Sequence, residues 1–136
     1  MKSAIAALAL FAATLSPSTW SAEAAELYII SPADGAKVQS PVTVTFGLKG
    51  MGVAPAGVAR EKTGHHHLLV DLETLPNLNL PIPSDPNHIH FGGGQTETKL
   101  ELKPGTHTLQ LLLGDAAHMP HRPAVLSEKI TITVTE

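Results

Sequence analysis

Beyond residue 25, apolar and polar residues alternate with period two over most of the chain, the pattern of strands with one buried face. "ELYIIS" at 26–31 reads as a first strand, stopped by the proline and Asp-Gly turn chemistry of "PADGAK". In "SPVTVTFGLKG", Val42, Val44, Phe46 and Leu48 alternate with Thr43, Thr45 and Gly47, a half-buried strand. "HHHLLVD" predicts a third strand and "HIHF" a short one. The Pro-rich "LETLPNLNLPIPSDPN" between them cannot be a central strand. Thr96, Thr98, Leu100 and Leu102 share a face of "QTETKLELK", and Pro104-Gly105 predicts a tight hairpin into "THTLQLLLGD". There His107, Leu109, Leu111 and Leu113 fall on one face, and Ile130, Ile132 and Val134 do so in the final "EKITITVTE". About seven short strands without sustained helical periodicity predict an all-β fold, an antiparallel immunoglobulin-like β-sandwich, with a small β-barrel as the alternative.

The first 24 residues break this pattern. Lys2 precedes an apolar run from Ala4 to Leu15, and Ala22-Glu23-Ala24 offers the small-x-small pattern of signal peptidase. A retained anchor needs about 20 apolar residues, and Ser16-Pro17 ends the run early. The expectation is a cleavable signal peptide over 1–24, a single domain over 25–136, and a periplasmic or secreted location without a further transmembrane segment. Trp20 falls in the signal segment, so the buried Trp and cysteine pair of antibody domains are both missing and the likeness to them is architectural.

Composition narrows the chemistry. The chain has no cysteine, which excludes thiolate zinc sites, iron–sulfur clusters, covalent haem and Cys nucleophiles. A net charge of −3 without any basic run argues against nucleic acid as a partner. The glycines of "FGGGQTET" lack the Lys and helix of a phosphate loop, and fit a tight turn or the close approach of backbone to another group. No serine has a G-x-S-x-G setting, so a Ser-His-Asp hydrolase lacks support.

Metal chemistry therefore falls to the eight histidines, at 65, 66, 67, 88, 90, 107, 118 and 121. On a strand, residues i and i+2 project from one face about 6.6 Å apart, so His-x-His can lean two imidazoles toward one ion. The chain has two such pairs, His65-x-His67 and His88-x-His90. His65, His67, Leu69 and Asp71 share a face, while His66 joins Leu68 and Val70 toward the core's edge. If the two strands are neighbours, the pairs converge, with Asp71 as a ligand or as an acceptor that orients a ring. His118, in the loop "GDAAHMPH", is the further ligand expected, with His121 next and Met119 a soft donor suited to Cu(I). His107 is in phase with leucines, and burial with a hydrogen bond suits it better than ligation.

These features predict a metal-binding, non-enzymatic module using His65, His67, His88, His90, His118 and Asp71. Its ion would be a divalent transition metal: copper, zinc or nickel. The alternative is a structural or interaction module for an envelope protein or glycan, with a hydrogen-bonded histidine cluster, no metal, and the 51–63 loop as part of its surface. From Ser31 onward the chain resembles the bacterial domain of unknown function 4399 family, through "GHHHLLVD", "HIHFGGGQTET", "PGTHTLQLLLGD", "HMPH" and "SEKITITV". The resemblance implies a small exported β-domain and carries no catalytic or binding roles with it.

Overall fold

Nine strands form among the described residues, which in this computed structural model are 23–136. The first 22 residues of the expected signal peptide lie outside them. The strands are β1 (Glu26–Ser31), β2 (Lys37–Gln39), β3 (Val42–Lys49), β4 (Gly52–Val53), β5 (Thr63–Val70), β6 (His88–His90), β7 (Glu97–Leu100), β8 (Gly105–Gly114) and β9 (Ile130–Thr135). No helix among them is long and apolar enough to cross a membrane. The all-β expectation holds, and the extra strands are two or three residues long, too short for periodicity to reveal.

The strands build a sandwich of two sheets. One is three-stranded in the order β1-β3-β7; the other runs β2-β9-β8-β5-β4, with β6 also paired to β5. The long ladders are antiparallel, and two short contacts, β2 with β9 and β4 with β5, are parallel. Between the sheets, Val42, Val44 and Phe46 of β3 meet Leu68 and Val70 of β5, Leu109, Leu111 and Leu113 of β8, and Ile132 of β9. These are the inward positions of the period-two pattern, and their burial supplies the main driving force for folding.

One expected connection differs. Pro104-Gly105 does not close a hairpin, because β7 pairs with β3 in the small sheet while β8 lies between β5 and β9 in the large one. The chain changes layer at this point. Leu100 and Leu102 stay packed against the shared core as it does so, which a local turn signal cannot distinguish from a hairpin.

The two central strands of the large sheet matter most for function. β5 is buried on both faces from Gly64 to Val70. One face meets the main core. The other carries His65, His67 and Leu69, and with Leu112 of β8 it is covered by Ile82, Leu72 and Leu78 of the Pro-rich loop. The face assigned by sequence to the less apolar side is thus enclosed, because the loop that cannot be a strand folds over it. Asn87 Nδ2 donates to Val70 O at 2.9 Å, and Ile82 N donates to His118 O at 2.8 Å, tying that cover down.

Candidate metal centre

β6 pairs antiparallel with β5, so the two His-x-His strands are indeed neighbours. The register sets His90 opposite His67 and His88 opposite Leu69. Only the first of these brings a second-strand imidazole to the pair on β5. His118 arrives from the loop after β8, where it sits in the left-handed region at φ 64°. That conformation is uncommon for a side chain with a Cβ, and a residue held in it is a pointer to function.

The result is a cluster of four imidazoles. Ring centroids are 4.7 Å apart for His65–His67, 5.0 Å for His65–His90, 5.1 Å for His65–His118 and for His67–His90, 4.8 Å for His90–His118, and 6.1 Å for His67–His118. Nitrogens of His65, His90 and His118 lie within 4.8 Å of one another, close enough together to hold one ion. Four imidazoles bound tetrahedrally at about 2.0–2.1 Å would hold their centroids about 5 Å apart. A planar set would show sides near 4.5 Å and two long diagonals of about 6.4 Å. Here one diagonal, His67–His118, is long at 6.1 Å, but its counterpart, His65–His90, is 5.0 Å. The arrangement is closer to a tetrahedron.

Burial and charge suit neutral donors. His65 and His67 are fully buried, and neither ring nitrogen of either residue has a hydrogen-bond partner; His90 Nε2 is likewise buried and unpartnered. Buried polar atoms are normally paired. His66 Nδ1 and Nε2 and His121 Nε2 are also buried without partners, so it is the convergence of His65, His67, His90 and His118 that sets the cluster apart. Burial pushes His65 down to about 4, helped by the neighbouring His90 and His118 rings. It pushes His67 down to about 3, aided by His65, His90 and His118, and it lowers His90 as well. Such rings stay neutral with a free lone pair, the form that binds a metal.

Two glycines make the room. A Cβ at Gly114 would lie 2.7 Å from His67 Cε1 and 3.2 Å from its Nδ1; one at Gly92 would run into the His90 ring, 2.8 Å from Nε2. Gly114 pairs with His65 across the ladder, so its missing side chain lets the His67 ring lean back toward its neighbour. Gly114→Ala is expected to displace His67 and destabilise the fold by about 1–3 kcal/mol, the usual scale of overpacking. The midpoint of urea unfolding measures this, and a wild-type midpoint would refute the cradle.

The other expected site residues lie elsewhere. Asp71 is not at the cluster: its Oδ1 accepts from Thr108 N at 2.9 Å and its Oδ2 from His107 Nδ1 at 2.8 Å. The strand ends at Val70 and Asp71 has φ 54°, so period-two alternation no longer fixes its direction. His107 also donates through Nε2 to Lys103 O at 2.8 Å. Both its nitrogens face acceptors, both bonds form only on the charged ring, and the Asp71 hydrogen bond raises its pKa. His88 pairs with Asp85 through Nδ1 at 2.9 Å, one strand repeat away from the cluster. His66, expected at the core's edge, is fully buried in the core with its ring 5.1 Å from that of Phe46. His121 packs at Gly64, where a Cβ would lie 2.8 Å from its Nε2. Sequence reasoning did not single out Gly114 as a space-maker; the signal was available in its place beside the His-rich strand, but only the pairing register exposes it.

Fold and site together define a small β-sandwich domain with a buried imidazole cluster between its large sheet and two covering loops. The chain belongs to the domain of unknown function family DUF4399, whose family model matches residues 44–135. That span includes all four clustered histidines. No curated protein and no solved structure matches the chain.

Proposed function

We propose that this protein is a non-enzymatic metal-binding module that holds one zinc ion through His65, His67, His90 and His118. The observation that carries this reading is the convergence of four imidazoles with near-tetrahedral ring centroids, three of which, His65, His67 and His90, have buried nitrogens that lack protein partners. Zinc accepts tetrahedral nitrogen donors without a preference of its own, whereas Cu(II) and Ni(II) favour planar or tetragonal sets. His65, His90 and His118 bring their nitrogens together, while the His67 ring, 6.1 Å from that of His118, must turn inward to complete the shell. With it four protein ligands would close the site, whereas a catalytic zinc keeps a position for water. An all-imidazole shell also avoids the oxidation to which thiolate ligands are prone, which suits the periplasmic or secreted location expected from residues 1–24.

The test is titration of tag-free, chelator-stripped protein with Zn(II) and with Co(II) as its coloured stand-in. One ion per chain is expected, with the intense visible bands of tetrahedral cobalt. His118→Ala, a loop substitution outside both sheets, should weaken binding by more than about tenfold, the least that even an outer partner of a metal site is worth. Absence of saturable binding, or an unchanged affinity in His118→Ala, would sink the assignment.

A further inference from the structure

Four neutral imidazoles can surround a divalent cation but cannot balance its charge, and burial makes that imbalance costly. The first acidic residue after β8 is Asp115, directly following the Gly114 that makes room for His67. Its Oδ1 accepts from Ala117 N at 2.8 Å and from Met119 N at 2.9 Å, the residues on either side of His118. Its backbone closes the same loop: His118 N donates to Asp115 O at 2.9 Å, and Asp115 N donates to Met119 O at 2.8 Å. Four hydrogen bonds from one residue thus fix the turn that carries His118 at φ 64°. The Asp115 carboxylate forms no ion pair among the described residues, although Arg60 and Lys62 line the same cavity of about 410 Å³.

Building on the metal-site reading above, we infer that Asp115 is the positioning residue of the site, holding His118 in its left-handed conformation while its negative charge compensates the bound cation. The two roles separate by substitution. Asp115→Asn keeps an oxygen acceptor for the amides of Ala117 and Met119 and removes the charge, whereas Asp115→Ala removes both.

With Co(II) as the probe, Asp115→Asn should retain the wild-type tetrahedral bands and bind about tenfold more weakly, within the range seen for outer partners of metal sites. Asp115→Ala should lose more affinity and show the altered bands of His118→Ala. If both variants match wild type in spectrum and affinity, the inference is overturned. If wild-type protein itself gives no cobalt bands, the metal-site reading and the charge role fail together. The positioning role is then read in metal-free protein from amide hydrogen exchange at Ala117 and Met119. Faster exchange in Asp115→Ala, rescued in Asp115→Asn, supports it, and wild-type exchange in both overturns it.

Discussion

Metal-free protein is expected to lose stability steeply as the pH falls below about 6.5, and to unfold at mildly acidic pH. The cause is the run of three fully buried rings on β5; burial lowers His66, and His65 and His67 have neighbouring imidazoles against them as well. In the unfolded chain His65 and His67 take up protons near the ordinary imidazole value of about 6.5. In the folded protein burial and neighbouring imidazoles hold them neutral, down to about 4 and about 3. A histidine with a depressed folded pKa contributes stability that is fully present above its unfolded value. That contribution begins to fade at about pH 6.5 and is exhausted only below the folded values. Each group gives up about 1.4 kcal/mol per pH unit across that window, so the two together remove about 4 kcal/mol by pH 5. Small domains are stable by only about 5–15 kcal/mol, so this is a large share of the total. His107 acts in the opposite sense. Its folded pKa is raised by Asp71, so its contribution is present below about 6.5 and fades as the pH rises through the folded value. A single ring held by two hydrogen bonds near the surface cannot offset two buried ones. Circular dichroism at fixed temperature from pH 8 to pH 4 measures the outcome, and a domain of unchanged stability between pH 7 and pH 5 would contradict it.

The same burial explains why the candidate site was only partly legible in the chain. Period-two alternation located β1, β3, β5, β6, β7, β8 and β9, most plainly where one regular face meets the core, as Val42, Val44 and Phe46 do. It also paired His65 with His67 and separated His66, a consequence of strand geometry alone. It could not show what lies over the second face of β5. That depends on Ile82, Leu72 and Leu78 returning from a loop whose prolines forbid a regular period. Nor could it choose between His88 and His90, equivalent in the His-x-His spacing. The distinction is made by register, which sets His90 across from His67 and His88 across from Leu69. Asp71 and Asp115 show the limit most plainly. Both follow strands as acidic residues near histidines, yet Asp71 turns toward His107 whereas Asp115 organises the loop of His118. Local sequence contains the hydrogen-bonding groups in each case but not the tertiary partner that selects their direction.

Zinc should then act as a clamp on the folded domain. In excess metal the unfolding temperature is expected to rise by about 15–30 °C over that of the chelator-treated protein. The ligands come from three separate segments: β5, β6 and the loop after β8. The unfolded chain has no assembled tetrahedron of donors, so binding free energy becomes folding free energy. At a free ion concentration 1,000 times the Kd, the native state gains about 4 kcal/mol. For a domain of this size each kcal/mol moves Tm by about 4–8 °C, which gives the stated range. One buried nitrogen on each of His65, His67 and His90 gains the metal as a partner at the same time, removing part of a penalty that the metal-free fold otherwise carries. His118→Ala leaves three donors and should retain only part of the shift, while its metal-free Tm stays close to wild type because that ring is only partly buried and sits on a loop outside both sheets. Differential scanning calorimetry with zinc, with nickel and with chelator separates this from non-specific binding to surface histidines. Zinc should stabilise more than nickel, whose preferred planar geometry the four rings do not offer. Equal Tm values with zinc and with chelator would leave the four imidazoles without a zinc-binding role.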